Sequence, residues 1–143
     1  MKKFVMLIAT LCITFMLLCC GCGLFVKQEF TCNVDEVKKI EIVTFDGYKK
    51  NEPGFKYTVL TEISDHSYFV DRLKAIKTSV NWGDPQMFEK GYTVIRIEYL
   101  NGDYDLIHCN AQFKKRDDKT NSGYLFFDVM QYNALISKYV PEE

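Results

Sequence analysis

Past Lys27 the chain alternates between short apolar patterns and polar breaks, and each pattern predicts one element. Val37 to Phe45 is rich in β-branched and aromatic residues and predicts a first strand, closed by Asp46-Gly47 and the polar run Lys49-Lys50-Asn51-Glu52-Pro53-Gly54. Phe55 to Ile63 alternates, with Phe55, Tyr57, Val59 and Ile63 on one face and Lys56, Thr58 and Glu62 on the other, the pattern of a half-buried second strand. Ser64-Asp65 then offers an N-cap to a helix whose apolar stripe is Phe69, Val70, Leu73, Ile76 and Val80. Asn81-Trp82-Gly83-Asp84-Pro85 ends that helix, with Trp82 expected at the surface of the loop that follows.

The strongest local signal is a hairpin, Tyr92 to Leu100 and Asp103 to Cys109 about Asn101-Gly102, since Asn-Gly suits a two-residue turn needing positive φ twice. A two-residue turn sets Tyr99 against Tyr104, Ile97 against Leu106 and Ile95 against His108. Ile95, Ile97, Tyr99, Tyr104, Leu106 and His108 then share an inner face, with Arg96, Glu98, Asp105 and Cys109 on the outer one. A polar loop from Lys114 to Gly123 is expected next, then a short strand Tyr124 to Phe127. Asp128 caps a last helix striped by Val129, Tyr132, Leu135, Ile136, Tyr139 and Val140 and stopped by Pro141.

The order ββα-βββα predicts an α+β fold, a two-layer sandwich in which a largely antiparallel sheet of about five strands carries two one-sided helices over residues 35–143. No internal repeat is apparent.

The N-terminus changes where this domain is expected to work. Met1-Lys2-Lys3 leads a charge-free run, Phe4 to Val26, whose strongly apolar part ends at Cys20-Gly21-Cys22-Gly23. This is the layout of an export signal with a basic head. Leu18-Cys19-Cys20-Gly21-Cys22 resembles the lipobox of bacterial lipoproteins, in which a small residue precedes a cysteine that receives diacylglycerol and becomes residue one after cleavage. The resemblance covers the first 22 residues, and it implies residues 1–21 as signal peptide, Cys22 as the lipidation site and 22–34 as a short tether. Cys19 stands where that family usually has Leu, and a second frame, with Leu17 in that place, makes Cys20 the modified residue. An uncleaved anchor is the alternative, because 23 uncharged residues can span a hydrocarbon core of about 30 Å. In both cases the two lysines stay inside and the domain lies outside the cell membrane, in the envelope.

Of 143 residues, 122 remain after such cleavage, about one domain. The charge, −1 for the whole chain with 18 basic and 19 acidic residues, becomes −3 once Lys2 and Lys3 are removed, which argues against nucleic acid as a partner. Outside the signal and Cys22 only Cys32 and Cys109 remain, and two extracytoplasmic thiols are able to form one disulfide. Neither has a second ligand at zinc spacing, so no metal is expected.

Catalytic patterns are equally sparse. The histidines are His66, at a helix start, and His108, and no serine sits in a nucleophile elbow. Asp103 and Asp105 beside Asn101-Gly102 lack the spacing of a calcium loop. Lys114 to Lys119 reads as a solvated loop, its charge offset by Asp117 and Asp118. No catalytic residue and no cofactor is therefore assigned. The expectation is a membrane-anchored, non-enzymatic module that binds a protein or an envelope component, with a small envelope hydrolase as the alternative.

Overall fold

The computed structural model describes residues 29–49, 54–80, 88–116, 119–123 and 125–140. The sequence-predicted signal peptide with Cys22, most of the tether, and Trp82 lie outside the described residues. After a 3-10 turn, Val34–Glu36, come the strands β1 (Val37–Tyr48) and β2 (Phe55–Ile63), helix α1 (His66–Ala75) and strand β3 (Thr78–Val80). Strands β4 (Thr93–Tyr99), β5 (Tyr104–His108), β6 (Ala111–Arg116), β7 (Lys119–Gly123) and β8 (Leu125–Phe127) follow, then helix α2 (Val129–Ile136). The six-stranded sheet has the order β2-β1-β4-β5-β6-β7, antiparallel throughout, and β3 pairs with β8 in a second, two-stranded sheet. The expected α+β layering is therefore present.

Both helices start as the caps predict, Asp65 accepting from Tyr68 N at 2.9 Å and Asp128 from Gln131 N at 2.9 Å. The first helix is shorter than its apolar stripe suggested. Ile76 turns extended at the C-cap, and the β-branched pair Thr78 and Val80 joins β8 instead of continuing the helix.

The segment expected as a polar loop, Lys114 to Gly123, is mostly strand. Lys114–Arg116 belongs to β6, and Lys119–Gly123 is β7, an edge strand. An edge strand has little apolar surface to bury, so its polar composition resembled that of a loop.

The central hairpin differs from expectation by one residue. Glu98 pairs with Tyr104, Ile97 with Asp105, Arg96 with Leu106 and Ile95 with Ile107. Tyr99 N donates to Asp103 O at 2.9 Å and Gly102 N to Tyr99 O at 3.0 Å, so the loop is the three residues Leu100, Asn101 and Gly102, with Gly102 at a positive φ, +86°. Because side chains alternate with period two, that slip turns β5 over. Asp105, Ile107 and Cys109 move to the face of Ile95, Ile97 and Tyr99, while Tyr104, Leu106 and His108 move to the face of Arg96 and Val94.

Each face has its own core. On one, Ile40, Ile42, Ile95, Ile97 and Ile107 pack under Phe69, Val70 and Leu73 of α1 and Tyr132 and Leu135 of α2. Tyr132 is 1% exposed and donates to the Ile107 carbonyl at 2.8 Å, pinning α2 to the sheet. On the other, Val43, Phe45, Phe88, Val94, Leu106 and Ala111 pack together inside a curl of the sheet. The Phe55 ring of β2 lies 5.1 Å from Phe113 of β6, although four strand spacings of a flat sheet span about 19 Å. Register shifts between Ile42 and Val43 and between Phe45 and Gly47 bend the β1–β2 hairpin over that face. The first shift leaves Leu60 as an extra residue and moves Ile63 to the helix-covered core, away from the face it was expected to share with Phe55.

Candidate functional site

A cleft of about 850 Å³ opens where the N-terminal segment joins the sheet. Behind its lining residues Tyr99 and Arg116 lies a buried carboxylate placed there by the register slip. Asp105, 0% exposed, accepts a hydrogen bond from the Tyr99 hydroxyl at 2.8 Å, and Arg116 Nη2 stands 2.8 Å from its other oxygen. That second contact has ion-pair distance but not hydrogen-bond alignment, so its attraction is Coulombic. Arg116 is further held by donating to the carbonyls of Lys115 and Tyr104, and its guanidinium lies 5.0 Å over the Tyr99 ring. Burial, together with the carboxylate beside it, pushes the Tyr99 hydroxyl's pKa far up.

Cys32 Sγ lies 3.7 Å from the same hydroxyl. Burial raises the Cys32 pKa, and the Tyr99 contact lowers it less, so the thiol is a poor nucleophile. Cys32, Tyr99, Asp105 and Arg116 thus form one connected chain of side chains.

The walls are mixed. Phe30 is 4% exposed, its ring 5.8 Å from Phe127, and with Cys32 it fastens the segment 29–33 into the helix-covered core. The expected tether of 22–34 is therefore docked from residue 29 onward. Glu36 accepts from Asn33 at 2.9 Å, and its backbone carbonyl accepts from Leu100 N at 2.8 Å, joining the segment to the hairpin tip. Lys74 of α1 and Leu100, 68% exposed, also line the mouth.

The Cys32–Cys109 disulfide that the sequence allowed is not formed, and both are buried free cysteines. Cys32 meets Tyr99 at one end of β4, whereas Cys109 follows His108 near the other, six residues or about 20 Å along the strand. Cys109 contacts Asn110 Oδ1 at 2.7 Å, and burial raises its pKa as well. His108 is stacked on Tyr92, ring centroids 4.3 Å apart, and burial lowers its pKa. His66 opens α1, away from Asp105 in the sheet, half-buried.

A second charged cluster lies on the curled face. Arg96 donates to Glu41 at 2.9 Å and to Glu98 at 2.7 Å, Lys39 and Lys38 complete the set, and the Tyr57 and Tyr104 rings lie 5.1 and 5.7 Å from the guanidinium. Among the described residues no group of three or more His, Cys, Asp or Glu is placed to hold a metal, and no helix is long and apolar enough to cross a membrane.

Sequence reasoning missed Asp105 and Arg116 as partners. The available signal was the hairpin loop length, because a three-residue loop by itself moves Asp105 to the face of Tyr99. Arg116 lay in an expected loop and had no such signal. Comparison with protein-family models, curated proteins and solved structures finds no match.

Proposed function

We propose that this chain is a lipoprotein of the bacterial cell envelope, anchored to the outer leaflet side of the cell membrane through Cys22, whose domain is a non-enzymatic binding module. The observation that carries the binding half is the cleft at the chain's entry into the fold: its lining Arg116 and Tyr99 are already engaged by the buried Asp105 behind them, and burial raises the pKa of its thiol. Such a site recognises by shape and by fixed polar groups. The docked segment 29–33 leaves only residues 22–28 between the proposed lipid and the fold, at most about 25 Å when fully extended. The cleft therefore opens close to the membrane surface, where a membrane-borne partner is accessible.

A photo-crosslinking residue at Leu100, on the cleft lip, tests this against the same residue at Met130, which is 82% exposed on α2. One adduct specific to Leu100 in the envelope supports the reading; equal capture at both positions, or none, sinks it. The anchor is tested by Cys22→Ala, which should abolish lipid labelling. Persistent labelling moves the modification to Cys20. An envelope hydrolase would be favoured by His108 meeting a carboxylate in a cleft, whereas His108 is stacked on Tyr92.

A further inference from the structure

The β2 edge of the large sheet has no strand beside it among the described residues. Lys56 to Leu60 are all exposed, and Tyr57, Val59 and Leu60 show 39, 46 and 43% of their surface. An open edge with unused backbone donors and acceptors, dressed with apolar side chains, is a template for another strand. The opposite edge, β7, reads Lys-Thr-Asn-Ser-Gly and offers no apolar residue.

We propose that β2 pairs antiparallel with β2 of a second copy of this chain about a two-fold axis at Tyr57. The row from Phe55 to Val59 is self-complementary in that register, with Phe55 half-buried against Phe113 of its own chain and Tyr57 and Val59 exposed. Phe55 and Val59 share one face with Tyr57, so the cross-strand pairs are Tyr57 with Tyr57 and, twice, Phe55 with Val59, the aromatic and aromatic–β-branched pairs that stabilise antiparallel sheets. On the other face Lys56 meets Thr58 of the second copy, and no like charges oppose. Two features limit the ladder to these five residues. The extra residue Leu60 breaks the alternation at one end, and the Gly54 turn, at φ +140°, closes the other. The bulge also excludes the register that would set Lys56 against Glu62, because it places those two side chains on opposite faces of the sheet. Of the two edges of the large sheet among the described residues only β2 carries apolar side chains, so two-fold pairing there closes on itself and gives a dimer rather than a fibre.

The test is disulfide trapping of the full-length chain in its own membranes. Directly opposed residues of an antiparallel pair lie about 4.5–5.5 Å apart at Cα, within disulfide range. Tyr57→Cys should therefore give a disulfide-linked dimer, about tenfold more than Val59→Cys, whose two copies sit four residues out of register, about 13 Å along the strand. Unsubstituted chain sets the background from native cysteines. Lys56→Cys combined with Thr58→Cys, both on exposed positions away from the core, repeats the test should Tyr57→Cys fold poorly, and should trap more dimer than either single change. Equal trapping at 57 and 59 would mean random collision and overturns the pairing. Background trapping in both sets would mean that another strand or none occupies the edge, and overturns it too.

Discussion

The Tyr99 hydroxyl donates to Asp105 Oδ2 at 2.8 Å across two adjacent strands of one hairpin, so that a carboxylate with no solvent exposure stays compatible with the helix-covered core. The pairing depends on the three-residue loop that sets their register.

Tyr99→Phe keeps the ring and removes that donor. The buried carboxylate then loses its one aligned hydrogen bond, which should cost about 1.5–3 kcal/mol. Chemical denaturation of both forms measures it, and a loss under about 0.5 kcal/mol would show that Arg116 alone suffices.

Gly102→Ala should destabilise by about 1–2 kcal/mol, because Gly102 sits at φ +86° with open space where a Cβ would be. The cost is conformational and not steric, so Gly102→Asn should cost less than Gly102→Ala. The reverse order in thermal unfolding would contradict the loop geometry.

His108 sets a pH dependence. Burial against Tyr92, Cys109 and Tyr132 holds its pKa below the ordinary 6.5. As pH falls below that value, the unfolded chain takes up the proton before the folded one does, so this contribution is whole above about pH 6.5 and is lost below it. Unfolding midpoints at pH 7.5 and 5.5 should fall further for the unsubstituted protein than for His108→Gln. Glu98, held below the usual carboxylate range by hydrogen bonds from Lys38 and Arg96, loses its share only at lower pH, under about 4.5.

Cys32 and Cys109 are buried, unbridged and raised in pKa by that burial. Both should resist alkylation at pH 8 in the folded protein and react on unfolding without reductant. Site-resolved mass spectrometry after labelling reads each cysteine separately, and a linked Cys32–Cys109 peptide would overturn the geometry.

Period-two alternation in Phe55–Val59, the caps Asp65 and Asp128, and the helix stripe Tyr132, Leu135 and Ile136 were enough to predict an α+β sandwich with two helices. These signals are local: a cap needs only its own first turn and a stripe only its own helix. Likewise the lysine head, the apolar run and Gly21-Cys22 are read along the chain, and the expected export and anchoring rest on them alone.

What pairs with what was decided in three dimensions. One more residue in the Leu100–Gly102 loop carried Asp105 from the expected solvent face to the face of Ile97 and Tyr99, and carried His108 the other way. One extra residue at Leu60 sent Phe55 and Ile63 to different cores. Polar β7 formed because β6 offered it a ladder, and Cys32 and Cys109 stayed apart because they sit at positions about 20 Å apart along β4. A strand's side chains choose their face by register, and register is set by the partner strand and the loop, neither of which is written in the strand's own residues.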